Sequence, residues 1–199
     1  MTARKMFQDS YLRADAPWDI GKPDFNLVRF VKEGGIEKCK TLEIGCGTGD
    51  NALWLADRGF DVVAIDFANK AIEIARKKCG SRQNCMFYTV EFGSELIPGA
   101  PFGFVFDRGC FHTVDDSRGR MKFAQNVSRV LDENGVWLSL VGSVDEDRER
   151  RGPPGISATD IVTSVERYFK ILSLDKSYFD TGYGGRPEIW VCVMRKRTR

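Results

Sequence analysis

The densest concentration of chemically useful residue types is Glu43-Ile44-Gly45-Cys46-Gly47-Thr48-Gly49, three glycines at alternate positions behind an acidic residue. Glycine puts no Cβ between the main chain and an approaching molecule, so such a turn can hold a ligand against backbone amides. It is not the dinucleotide fingerprint, which wants its third glycine where Asp50 stands. A carboxylate opening a helix there repels the pyrophosphate that would otherwise rest on the helix's positive end. Asp66 follows Gly49 by seventeen residues, where an acidic side chain can accept from both hydroxyls of a ribose. The ligand implied carries a ribose and no phosphate.

A second reactive group, Asp107-Arg108-Gly109-Cys110-Phe111-His112, holds the only histidine of the chain. Arg108 would favour an anionic nucleophile by its charge. His112 is open to two readings, a general base or a residue that caps the next helix, and Cys110 to two more, a reactive thiol or a half-buried structural cysteine. The six cysteines include no Cys-x-x-Cys pair, so no metal site is expected.

These residues need elements to position them, and the apolar pattern supplies them. Short β-branched runs alternate with stretches of helical period, the signature of βαβ units around a parallel sheet. Strands are expected at 41–44, 61–65, 86–90, 102–106 and 136–141, with helices at 52–56, 68–78 and 118–131 between them. After a charged, Pro/Gly-rich loop at 145–155 come a helix from Ala158 opened by Ser157 and two strands, 169–179 and 188–194, joined as a hairpin. The fold class is therefore α/β, a three-layer Rossmann-like sandwich with a seven-stranded, mostly parallel sheet and a C-terminal antiparallel hairpin. The glycine turn falls at the exit of the first strand and Asp66 at the end of the second, the edge where doubly wound sheets bind ligands.

The chain of 199 residues is read as one domain over 1–199. Thirty Lys and Arg against 28 Asp and Glu leave a formal charge of +2, which names neither a nucleic acid nor an anionic membrane as partner. No apolar run reaches membrane-spanning length and no signal-peptide pattern opens the chain, so a cytoplasmic location with reduced thiols is expected. The chain is taken as a monomer by default.

S-adenosylmethionine meets the description of a ribose-bearing, phosphate-free ligand, and Glu43 to Gly49 followed by Asp66 resembles the first two motifs of the class I, seven-stranded S-adenosylmethionine-dependent methyltransferases. The resemblance sets Gly45 and Gly47, with Cys46 between them, against the methionine part of the cofactor and Glu43 close to it. It sets Asp66 on the ribose and Phe67 beside the adenine. Glu91 and Phe92 match the place where the family has an acidic residue and a neighbour contacting the adenine amine, with glutamate for the more usual aspartate.

The fourth-strand end lacks the Asn/Asp-Pro-Pro-aromatic motif of enzymes that methylate base amines in nucleic acids. Together with Ala16-Pro17-Trp18-Asp19-Ile20-Gly21-Lys22-Pro23, it resembles instead the thiopurine, thiol and halide methyltransferases and the tellurite-resistance-type enzymes. The resemblance runs from Trp18 to Val141 and fades in the last third. It implies a small-molecule acceptor such as a thiol, chalcogen or halide, with S-adenosylhomocysteine as product. Residues 1–30 would form a lid bringing Trp18 onto the cofactor, with Asp107 and Arg108 lining the acceptor side and Asp107 also touching the cofactor. Two other readings stay open: an oxygen or nitrogen acceptor on a metabolite or macromolecule, supported by the basic residues at 148–151 and 195–199, and a nicotinamide-binding Rossmann protein.

Overall fold

The computed structural model describes residues 3–145, 154–182 and 184–198. Its strands are β1 (Lys40–Ile44), β2 (Asp61–Asp66), β3 (Cys85–Thr89), β4 (Phe102–Arg108), β5 (Leu131–Gly142), β6 (Phe169–Tyr178) and β7 (Glu188–Lys196). The helices are α1 (Ala3–Arg13), α2 (Phe25–Lys32), α3 (Asp50–Ala56), α4 (Asn69–Cys79), α5 (Ser117–Val130) and α6 (Ala158–Val165). The sheet order is β3-β2-β1-β4-β5-β7-β6. β1 to β5 run parallel, and β7 inserts antiparallel between β5 and β6. The α/β sandwich with its C-terminal antiparallel hairpin is thus the observed fold.

Strands buried on both faces read as nearly continuous apolar runs, and here they feed two cores. Phe104, Phe106 and Leu138 face α2, α3 and α4 through Leu27, Leu55 and Ile72. Leu42, Ile44, Val105 and Trp137 point the other way, to Ala124 and Val127 of α5 and Ile161 and Val165 of α6. The strand order reverses between β1 and β4, whose register pairs Ile44 with Asp107. The glycine turn and the Arg108 segment therefore leave the sheet side by side at its topological switch point.

Three elements differ from the sequence reading. α1 and α2 were not anticipated; α2 is only eight residues long, about two turns, and is fixed by the N-cap Asp24, which accepts from the Asn26 amide. The fifth strand starts five residues earlier than Val136: Leu131 is buried and pairs with Phe102, and the register then shifts so that Val136 pairs with Phe104. Residues 132–135, taken as a helix stop, bulge out between these two pairings. At α6 the expected Ser157 cap is a full capping box with Asp160. Arg148, Arg150, Arg151 and Tyr183 lie outside the described residues. Among those described, no helix is long and apolar enough to cross a membrane.

Candidate active site

The turn after β1 is closed by its own backbone. The Cys46 amide donates to the Ile65 carbonyl at 2.9 Å and the Gly49 amide to Cys46 at 2.9 Å. Gly45 and Gly47 have φ of +65° and +53°, a region costly to residues with a Cβ. A Cβ at Gly45 would overlap the Cys110 sulfur, and one at Gly47 would lie 2.7 Å from the Tyr11 hydroxyl. Asp66 braces the turn from β2: its Oδ2 accepts from the Gly47 amide at 3.0 Å and its Oδ1 from the Ala68 amide at 2.8 Å. Burial raises its pKa while those amides pull it back. The Phe67 amide is a third backbone donor to this carboxylate, which has about four acceptor positions in all.

Glu43 lies beneath the turn, 1% exposed. Its Oε1 accepts from Asn51 Nδ2 at 2.9 Å, and its Oε2 has no hydrogen-bond partner. Burial pushes this carboxyl up to about 8. A buried acid with an orphan oxygen calls for a partner, and an ammonium group is the partner that would also restore its charge. Cys46 beside it is buried, its thiol raised well above the ordinary range by burial and by the charges of Glu43 and Asp66, which suppresses its nucleophilicity.

The amino-terminal segment crosses over this turn. Trp18 Nε1 donates to the Tyr11 hydroxyl at 2.9 Å, and Phe7 packs edge-on against both Trp18 and Phe67, at 4.8 and 6.1 Å between centroids. The Thr48 hydroxyl donates to Asp19 at 3.1 Å. A cavity of about 60 Å³ lies between Tyr11, Trp18, Asp19, the 45–51 turn and Arg108. Burial and the neighbouring Asp66 charge raise the Tyr11 pKa, so its hydroxyl stays protonated. Tyr11, Asn51 and Asp24 were missed by sequence reasoning. Only Asn51 carried a local signal, an amide at the helix start next to the glycine turn.

At the β4 end the three expected site residues are each engaged by neighbouring groups of the protein. Asp107 is turned toward Trp137. It is fully buried, accepting from Trp137 Nε1 at 2.9 Å and from the Cys110 and Phe111 amides at 3.1 Å each. Those donors offset the rise that burial imposes on its pKa, and the carboxylate anchors the bend after β4. Arg108 lines the cavity, but its charge is matched by Asp24, 2.7 Å from Nε and itself buried. His112 accepts from the Gly142 amide at Nδ1, at 2.6 Å. That contact commits Nδ1 to the backbone of β5 and fixes the orientation of the ring.

The remaining candidates separate. Phe67 joins the cluster of Tyr11, Trp18 and Ala68. Phe92 packs on Phe123 at 4.8 Å in the second core, with Glu91 exposed beside it. Cys110 donates to the Ile44 carbonyl at 3.2 Å, and burial and nearby carboxylates raise its pKa well above that of a free thiol, the structural alternative. Two of the basic tail residues bond to carbonyls: Lys196 Nζ reaches Leu131 at 2.6 Å and Arg197 Nε reaches Glu166 at 2.8 Å. Because Arg195 pairs with Val136 and Ile189 with Gly142, that tail emerges at the sheet end opposite the glycine turn. Among the described residues no group of three His, Cys, Asp or Glu could hold a metal ion.

A methyltransferase domain model matches residues 41–135, the stretch from β1 to the bulge in β5. "Probable thiol methyltransferase 2" of Arabidopsis thaliana is 28% identical over 170 residues, covering 83% of this chain and 70% of that protein. An uncharacterized methyltransferase of Schizosaccharomyces pombe is 31% identical over 111 residues, covering 55% of this chain and 77% of that protein. A solved structure described by the conversion of a disulfide bond into a thioacetal group during echinomycin biosynthesis superposes with a TM-score of 0.81 at 24% identity, over 95% of this chain and 90% of that one. The switch-point turn, the acidic residues that flank it and these likenesses agree: the chain belongs to the class I, seven-stranded S-adenosylmethionine-dependent methyltransferases.

Proposed function

We propose that this methyltransferase acts on a small soft nucleophile, a thiol, chalcogen or halide. The observation that carries the reading is the chemistry around the turn: open glycine backbone, an orphan buried carboxyl oxygen on Glu43 on one side and Asp66 on the other. Glu43 suits the ammonium of the cofactor's amino-acid end, Gly45 and Gly47 give its methionine part room, and Asp66 offers its remaining acceptor capacity to the ribose. Phe67 and Trp18 form the aromatic wall, and Glu91 and Phe92 are the candidates at the adenine edge. The space of about 60 Å³ beside the turn is far below the 300–1,000 Å³ of small-molecule sites, and the segment carrying Tyr11 and Trp18 is the lid whose outward swing would enlarge it for the cofactor.

When bound, the cofactor supplies an electrophilic methyl carbon on a sulfonium. The protein's task is to hold the nucleophile in line with it and exclude water. A thiol near pKa ~8.5 is already a few per cent thiolate at neutral pH, which suits a site whose one histidine has its Nδ1 taken up by the Gly142 amide. The thiol-directed Arabidopsis relative and the sulfur chemistry of the echinomycin neighbour support a sulfur acceptor. A macromolecular acceptor loses its basic-tail support, because that tail emerges at the far end of the sheet.

The test offers the protein labelled cofactor with iodide, bisulfide, aromatic thiols, catechols and bulk RNA in parallel. Methylated thiol, sulfide or iodide is expected, and label in RNA alone overturns the acceptor. Asp66→Ala is expected to weaken S-adenosylhomocysteine binding by about 1.5–3 kcal/mol by calorimetry. Unchanged affinity would move the ribose elsewhere.

A further inference from the structure

We infer that Arg108 is a positioning residue that acts through Trp18: it bolts the segment of residues 14–24 to the end of β4 and to the β6–β7 connection. This deepens the reading of Trp18 as part of the cofactor site and rests on it.

The guanidinium joins three parts of the chain at once. Its Nε donates to Asp24 Oδ2 at 2.7 Å, its Nη1 to the Trp18 carbonyl at 3.2 Å and its Nη2 to the Asp180 carbonyl at 2.8 Å. Its plane lies over the Phe179 ring, 4.5 Å from guanidinium carbon to centroid. The Arg108 side chain is 11% exposed and that of Asp24 fully covered, so water competes little for these bonds. Asp24 is held in turn, because its amide donates to Asn51 Oδ1 at 2.8 Å while Asn51 Nδ2 donates to Glu43. The bolt is thereby tied to the helix that follows the glycine turn. From the hairpin side, the Gly182 amide donates to the Pro17 carbonyl at 2.9 Å. The two consecutive peptide carbonyls around the Trp18 backbone are both gripped, one by Arg108 and one by Gly182.

A planar fork with fixed donor directions makes this possible, and a lysine ammonium of equal charge cannot reach all three acceptors. The charge itself is answered by Asp24. Arg108 therefore governs the cofactor side by geometry and is not the cation that selects an anionic acceptor.

The experiment is S-adenosylhomocysteine calorimetry on the full chain with Arg108→Lys, Arg108→Gln, Asp24→Asn, Trp18→Ala and the double variant Arg108→Gln/Trp18→Ala, each checked for a cooperative unfolding transition. Both Arg108 variants are expected to bind about tenfold or more weakly, the size of one or two hydrogen bonds from a charged group, with lysine no better than glutamine. Asp24→Asn removes the counter-charge and one of the two accepting oxygens while leaving Arg108 in place; it is expected to bind more weakly than the wild type, and it carries the test if the Arg108 variants do not fold. The double variant is expected to bind like Trp18→Ala alone, since a residue acting through Trp18 adds nothing once the indole is gone. Wild-type affinity in Arg108→Lys, or additive losses in the double variant, overturns the proposal. Wild-type affinity in Trp18→Ala instead overturns the cofactor role of Trp18, and the proposal with it.

Discussion

Around Gly45 and Gly47 the chain is positioned by its own backbone, whereas around Trp18 it is positioned by side chains reaching in from elsewhere. The turn sits between two buried strands and is closed by amide-to-carbonyl bonds at Cys46 and Gly49 and by Asp66 beneath it. The overlying segment is held at its C-terminal end by the Arg108–Asp24 pair and the Asp19–Thr48 contact, and before them by the aromatic contacts of Phe7, Tyr11 and Phe67. The turn is held by backbone bonds and by packing between two strands, whereas the segment over it is held by a few polar ties and aromatic contacts, the kind of tie that a lid of the proposed sort would have to release.

The comparison breaks most visibly at the buried pair. Asp24→Ala leaves the Arg108 guanidinium without its counter-charge and removes the α2 cap, and is expected to cost about 3–5 kcal/mol in denaturant unfolding. A loss under about 1 kcal/mol, the value of an exposed pair, would mean that water already reaches the pair. On the cradle side, Gly45→Ala combines a left-handed backbone with overlap against the Cys110 sulfur, for an expected cost of about 2–4 kcal/mol. Adding Cys110→Ala removes the overlap and leaves the backbone strain. The double variant should recover part of the loss, and full recovery would show that strain contributes nothing.

That asymmetry also decides what could be read from sequence. Strand, turn and Asp66 are local: their pattern is contained in 41–66 and needs nothing distant to be interpreted. The partners of Arg108 lie 84, 90 and 72 residues away at Asp24, Trp18 and Asp180, and no spacing rule predicts such a meeting. One signal was present and unused. Alternation along β4 sends Asp107 and Arg108 to opposite faces, so the two could not line one acceptor wall together. Asp107 follows Val105 into the core of Trp137, and its carboxylate is consumed there. The bulge at 132–135 escaped for the opposite reason, since its polar residues are those of a loop and only the burial of Leu131 ties them to the sheet.

Glu43 sharpens the cradle side through pH. Its carboxyl titrates near 4.3 in an unfolded chain and at about 8 in the fold. The folded state therefore binds the extra proton, and this contribution to stability is full below about pH 4 and is lost as pH rises through about 8. In the proposed role of Glu43, binding of the cofactor's ammonium runs the other way, because it needs the carboxylate. S-adenosylhomocysteine affinity should rise with pH by up to about tenfold per unit toward pH 8 and then level, and Glu43→Gln should flatten the profile. A profile equally steep in that variant would assign the proton to another group.

The smallest effect is expected where the cover meets the rim. Lys78 Nζ lies 3.0 Å from Asp50 and 2.9 Å from the Thr48 hydroxyl that holds Asp19, but the lysine side chain is 35% exposed. Partly exposed pairs of this kind contribute under about 1 kcal/mol and are screened within a Debye length of about 8 Å at physiological salt. Lys78→Met should therefore shift unfolding by less than that, and raising salt should weaken S-adenosylhomocysteine binding only slightly in the wild type. A strong loss of affinity with salt would place the hold on the cover at its exposed rim, because a pair as covered as Arg108–Asp24 is little affected by dissolved ions. The cover would then open by screening rather than by breaking a buried contact, and the contrast between a backbone-built cradle and an Arg108-bolted cover would have to be redrawn.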